Sequence, residues 1–188
     1  MSLIKAVLEA AANGEELAVQ LGTSKNYKYR KSIYDTKRCV ECEELHGKIW
    51  TMKENPEPKP PIHFFDRCQI LPLETITAGT ATVDGVSGAD WSIMYNQQLP
   101  SNYISRSDAE KKGWKSGKWP SNFVPGKMVT NGIYYNSNKH LPDAVGRIWY
   151  EADINYKTGK RNSQRIVWSN DGLIFVSYDH YETFYEIV

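Results

Sequence analysis

At 188 residues, with 40% hydrophobic and 12% aromatic side chains, the chain can bury a core as one large domain or two small ones, which excludes wholesale disorder. The formal charge of +1 hides a gradient: residues 1–97 carry 11 Lys+Arg against 13 Asp+Glu, a net of −2, while residues 98–188 carry 12 against 9, a net of +3. That bias suits an anionic partner; no run reaches the roughly 18 apolar residues that span a bilayer, and three cysteines within residues 39–68 make no disulfide framework.

The opening MSLIKAVLEAAANGEELAVQLG reads as an amphipathic helix with Leu3, Val7, Ala10 and Ala11 on one stripe. Glu9 interrupts its short apolar run, so it is not read as a secretory signal. Next come Cys39-x2-Cys42, His46, a proline-dense loop NPEPKPPIH (55–63) and Cys68. Cys39, Cys42, His63 and Cys68 offer the soft and borderline donors of a structural zinc site. The competing reading is three reduced cysteines packed as small apolar side chains. The segment LPLETITAGTATVDGVSGAD (71–90) has no lysine or arginine and suits a connector or a loose edge strand. It divides the chain into a module at 1–75 and a second domain at 76–188.

In the second domain SRSDAEKKGW starts a helix, with Ser105 as cap, Asp108 completing a capping box and Gly113 as stop. Five strand candidates follow at 127–135, 147–156, 163–169, 172–179 and 182–188, with turn signals at Thr158-Gly159 and Asn170-Asp171-Gly172. Helices followed by runs of strands indicate an α+β fold with a twisted antiparallel sheet.

Hairpin arithmetic then groups the charges. A turn about residue 158 sets Glu151 opposite Arg165, and a turn about Asp171 sets His180 beside Arg161. Because side chains alternate, Glu151, Arg161, Arg165 and His180 share one face of three adjacent strands, provided neither register slips by one residue. A carboxylate and an imidazole flanking two guanidiniums have the parts to cleave a phosphodiester through a neighbouring hydroxyl. The carboxylate takes a proton, the imidazole gives one, and the arginines hold charge as it develops. Taken singly, each residue is as well explained by a surface ion pair or an idle histidine.

From about Leu99 onward, the phrases LPSNYISRSDAEKKGW, VPGK, HLP, GRIWYEADINY, GKRNSQRI and DHYETFYEI resemble the barnase-like microbial ribonucleases of the N1/T1 family, with weaker similarity back to about Val83. The resemblance implies a metal-independent endoribonuclease. Glu151 falls on the family's general base, His180 on its general acid, Arg161 and Arg165 on its phosphate-binding arginines, and Tyr181 on a tyrosine that lines the site. The implied reaction forms a 2′,3′-cyclic phosphate and then a 3′-phosphate, with no catalytic cofactor. Arg106 stands where a lysine is usual. Tyr134 and Asn136 match the base-recognition loop, but Asn138 replaces its guanine-binding carboxylate, so guanine preference is expected to weaken. Ser137 replaces an arginine that acidic, barstar-type immunity proteins contact, so such a partner would need other contacts.

CVECEELHGKIW and PPIHFFDRCQILP look similar to phage head-morphogenesis proteins of the Mu F and SPP1 minor capsid type, except that Asp66 replaces one of the family's cysteines. Together the two resemblances imply a toxin domain acting on RNA in the cytoplasm of a target cell, behind a phage-derived module, delivered by a non-classical or phage-linked route. The alternative is a phage head-associated structural or RNA-binding protein with an inactive nuclease domain. A metal-dependent DNase is the poorest option, because the cysteine–histidine cluster lacks an open carboxylate-rich site.

Overall fold

The computed structural model describes residues 2–33, 35–156 and 158–188. Lys157, next to the expected turn at Thr158-Gly159, lies outside them. The fold is α+β, with few helices and, among the described residues, one nine-stranded mixed sheet in the order β2-β1-β3-β9-β8-β7-β6-β5-β4. The strands are β1 (Leu21–Lys31), β2 (Ile49–Thr51), β3 (Gln69–Ile76), β4 (Tyr103–Ser105), β5 (Met128–Tyr134), β6 (Trp149–Asp153), β7 (Arg165–Ser169), β8 (Ile174–Ser177) and β9 (Tyr185–Ile187). The helices are α1 (Ser2–Ala12), α2 (Val40–Glu44), α3 (Ala89–Asn96) and α4 (Arg106–Lys111).

The expected antiparallel sheet is corrected to a mixed one. β4 runs parallel to β5, joined by a crossover that contains α4, and β3 runs parallel to β9 through Thr75↔Glu186 and Ile76↔Ile187. Residues 69–76, placed partly in a connector by their composition, therefore form an interior strand, with β1 on one side and β9 on the other. The sheet runs unbroken past the boundary expected at 75/76.

Local chemistry explains most element ends. Ala and Leu favour helix in α1, and Gly14 closes it at φ +70°. Its buried stripe is corrected to Ala6 and Ala10 with Leu3 partly covered, because Val7 and Ala11 are exposed. In α4 the Ser105 hydroxyl oxygen accepts from Asp108 N–H at 3.1 Å. The Asp108 carboxylate accepts from the Ser105 hydroxyl instead of the backbone, so only half of the capping box forms. Gly172, at φ +96°, turns β7 into β8.

Alternation splits the sheet into two faces. Ala152, Ile154, Ile166, Ile174 and Val176 point into a core shared with α1 and α3. Trp149, Val167 and Phe175 point the other way and pack with Tyr29, Ile49 and Leu73 of the first three strands. The candidate site stands on this second face. The N-terminal strands thus supply packing for the same face that carries the charged residues.

Candidate active site

β6 presents Glu151 and Asp153 two residues apart, so both side chains leave the same face. Across from them, Glu151 pairs with Val167 and Asp153 pairs with Arg165. The expected Glu151–Arg165 pairing is therefore corrected by a two-residue slip. The connection is longer than a tight turn: Ile154 N–H donates to Gln164 O, and Asn155 bends at φ +59° before the chain returns. A slip of two keeps every side chain on its face and changes only its partner. The second hairpin has the expected register, with Arg165 opposite Ser177 and His180 N–H donating to Ser163 O at 3.0 Å.

Asp153, which the sequence reading passed over, becomes the centre of the cluster. Its carboxylate is fully buried and accepts from Arg161 Nε at 2.5 Å and Nη2 at 2.7 Å. Arg165 Nε lies 3.1 Å from Asp153 Oδ1, close enough for an ion pair but not aligned as a hydrogen bond. Arg165 Nη1 donates to Asn162 O and Gln164 O. The Trp114 ring supports the Arg161 guanidinium at 5.7 Å. Burial works against the Arg161 charge, but the Asp153 carboxylate outweighs it and holds the guanidinium above its ordinary pKa. Two guanidiniums against one carboxylate leave a net positive cradle.

After β8 the chain makes a tight loop with His180 at φ +62° and Tyr181 at φ +72°. Non-glycine residues in this region carry strain, so the loop needs support. Asp179 Oδ1 supplies it by accepting from Ser177 Oγ and from Thr183 N–H, while Tyr181 N–H donates to Ser177 Oγ. The Tyr181 hydroxyl donates to Glu151 Oε2, and the rings of Tyr181 and His180 are 4.8 Å apart. Burial and the Glu151 carboxylate push the Tyr181 phenol far above its usual range, which keeps it a donor. Tyr181 thus bridges the carboxylate and the imidazole.

The loop after β5 forms one wall of a groove of about 360 Å³ lined by Tyr134, Asn138 and His140 together with His180, Tyr181 and Glu182. Tyr134 and Tyr181 lie 5.0 Å apart at 30°, a tilted aromatic pair at that groove. Asn136 is spent on the loop itself: its amide nitrogen donates to Leu141 O and Asp143, and its oxygen accepts from Leu141 N–H. Asn138 Oδ1 accepts weakly from His140 N–H at 3.3 Å. Arg106 is paired with Glu110 one turn along α4. A larger groove of about 940 Å³, lined by Ile4, Leu8, Ile33 and Asp179 among others, includes none of the candidate catalytic residues.

Cys39, Cys42 and His63 converge, and Cys42 is shared with a second group of Asp66 and Cys68. None of these side chains lines the groove. His140 was missed by the sequence reading, although it is buried and its Nε2 meets Glu44 O at 3.0 Å. Its signal was a histidine in an otherwise polar loop, too common to weigh alone.

Known proteins resemble the part of the chain that carries this cluster. A family model described as ribonuclease matches residues 89–188, from the first residue of α3 onward. A ribonuclease from Heyndrickxia coagulans is 46% identical over 107 residues, covering 56% of this chain and 95% of that protein. Ribonucleases from Bacillus intermedius and Bacillus pumilus are each 46% identical over 107 residues, which span 64% of their length. By the family match, which covers more than half of its length, the chain belongs to the ribonuclease family and is an endoribonuclease. Among the described residues, no helix is long and apolar enough to cross a membrane.

Proposed function

We propose that this endoribonuclease cuts RNA by internal transphosphorylation without a catalytic metal. Glu151 accepts the proton of the ribose 2′-hydroxyl as O2′ attacks phosphorus. His180, protonated, donates to the departing 5′-oxygen, and a 2′,3′-cyclic phosphate results. Arg161 and Arg165 hold the non-bridging phosphoryl oxygens, and Asp153 fixes the two guanidiniums. In the second stage the roles reverse, and water opens the cyclic ester to a 3′-phosphate. The observation that supports this reading most is the Tyr181 hydroxyl on Glu151, with His180 against the same tyrosine ring and the two-arginine cradle on the same sheet face.

Tyr134 and Tyr181 are assigned to stacking on the base, and Arg106 to a second positive charge near the phosphates. Asn136 shapes the loop instead of reading the base directly. Asn138 offers an uncharged acceptor where family members use a carboxylate, so guanine preference is weakened. Residues 76–188 serve as a toxin domain, carried behind a phage-derived module at 1–75 and restrained by an acidic immunity protein with its own contact set.

Incubating the full chain with RNA in excess chelator, followed by analysis of the ends, tests the chemistry. Cyclic-phosphate ends are expected. RNA bound but left intact would favour the inactive, RNA-binding alternative, and cleavage abolished by chelator would exclude metal independence. Glu151→Gln and His180→Ala are each expected to lose several orders of magnitude in kcat/KM while keeping the fold. Near-normal turnover in either would overturn its role.

A further inference from the structure

We propose that Cys39, Cys42, His63 and Cys68 form a closed tetrahedral site for one zinc-class ion, and that this ion, by fixing α2, braces the loops that wall the groove beside His180. Cys39, Cys42 and His63, from two chain stretches, meet with ligand-like spacing, while Cys68 groups with the shared Cys42 and closes the set by a shift of its side chain when the ion binds. Cys39 Sγ lies 3.1 Å and Cys42 Sγ 3.4 Å from His63 Nε2. For Zn–S near ~2.3 Å and Zn–N near ~2.0 Å, a tetrahedron has S···N edges of roughly 3.5 Å. The four side chains border one cavity of about 10 Å³, room for a single small occupant.

Three thiolates and an imidazole select a zinc-like ion over calcium or magnesium, which need oxygen donors. The site is closed, with no position left for substrate. A dication on three thiolates carries one negative charge, which the bordering Lys37 suits; Arg38 and Arg67 border the same cavity but pair with Glu43 and Asp35. Asp66, which groups with Cys42 and Cys68, is already engaged. Its carboxylate accepts from Ile62 N–H, Cys68 N–H and Arg30 Nη2 at 2.7–2.8 Å. Those bonds make it an orienting group behind the ligand loop. Its pairing with Arg30 anchors that loop to β1.

The path to the groove is short. Cys39 caps α2 by accepting from Cys42 N–H at 3.4 Å, and Cys42 lies within the helix. At the other end of α2, Glu44 O meets His140 Nε2 at 3.0 Å, and Ile49 N–H donates to His140 O at 2.8 Å. Gly47 packs so closely on the second loop that a Cβ there would stand 2.3 Å from Glu182 O. His140 and Glu182 both line the groove with His180 and Tyr181. The brace rests on that groove being the base side of the proposed reaction; the metal site does not.

Elemental analysis of the reduced full chain is expected to give one zinc per chain, and cobalt replacement a tetrahedral spectrum with thiolate charge-transfer bands. No bound zinc after reloading, or a Cys39–Cys42 disulfide in the native protein, overturns the site. Cys42→Ser should lose the ion. Because that variant can also unfold, His63→Cys provides the second arm: it should keep the ion and strengthen the cobalt–thiolate bands, and an unchanged spectrum would remove His63 from the ligand set. Metal-stripped, folded protein should show KM for a dinucleotide raised by about tenfold with kcat within about twofold. An unchanged KM overturns the brace. Full activity in Glu151→Gln would instead defeat the catalytic assignment and leave the zinc stoichiometry standing.

Discussion

Asp66 and Asp153 both have side chains sealed from solvent and both face arginine, but the arginines differ. Arg30, the partner of Asp66, is itself fully buried, with 0% of its side chain exposed. Arg161, the partner of Asp153, keeps 19% exposed, and a second arginine, Arg165, stands on the other side of the same carboxylate. The first pair is neutral and closed, so it serves to hold backbone in place. The second carries surplus positive charge with a route to solvent, so it can receive an anion. Burial of a carboxylate by itself does not separate structure from catalysis; the stoichiometry and reach of its partners do.

Breaking each pair tests that distinction. Of the two pairs, breaking the second with Arg161→Ala is expected to cost turnover more, a loss of about 10²–10³ in kcat, measured on a dinucleotide at saturation. Arg30→Ala should leave kcat of the folded fraction near normal but lower stability by about 3–5 kcal/mol, read from denaturant midpoints, since it strands a buried charge. If Arg30→Ala lost turnover as steeply as Arg161→Ala, the two pairs would not differ in kind. Asn138→Glu, which restores a charged acceptor to the groove, should raise the GpA over ApA cleavage ratio by about tenfold. No change would show that Asn138 does not face the base.

The smallest effect concerns pH. His46 accepts from Ser32 N–H, and burial together with the neighbouring Arg38 charge holds its imidazole down at about 4 from an ordinary 6.5. Between those values the folded state binds fewer protons than the unfolded one. Stability is therefore complete above about 6.5 and falls as pH drops toward about 4. His46→Asn keeps a neutral acceptor and should flatten that slope in thermal melts taken across the window. An unchanged slope would assign the acid sensitivity to other groups.

Much of the C-terminal fold was legible because its signals are local. The Asn170-Asp171-Gly172 turn set a register, and alternation placed Glu151 and Arg165 on one face. The first hairpin was misread by two residues because its connection is held by long-range bonds, such as Asn155 Oδ1 accepting from Val83 N–H, which no turn rule contains. That slip concealed Asp153 as the shared partner of the arginines. β1 was illegible for another reason. LGTSKNYKYRK is polar because most of its side chains are exposed, and only Ser24, Tyr29 and Arg30 are buried. Pro72 in β3 sits at a register position opposite Lys28 without ending the strand.

The parallel contact of β3 with β9 carries one more consequence. Without the first 76 residues, β9 would present a row of unpaired amides and carbonyls to other molecules, the arrangement that invites self-association. The N-terminal strands therefore act as a covalently attached guard for the nuclease sheet, and trimming them away is expected to yield oligomers in light scattering before it yields any change in the chemistry of cleavage.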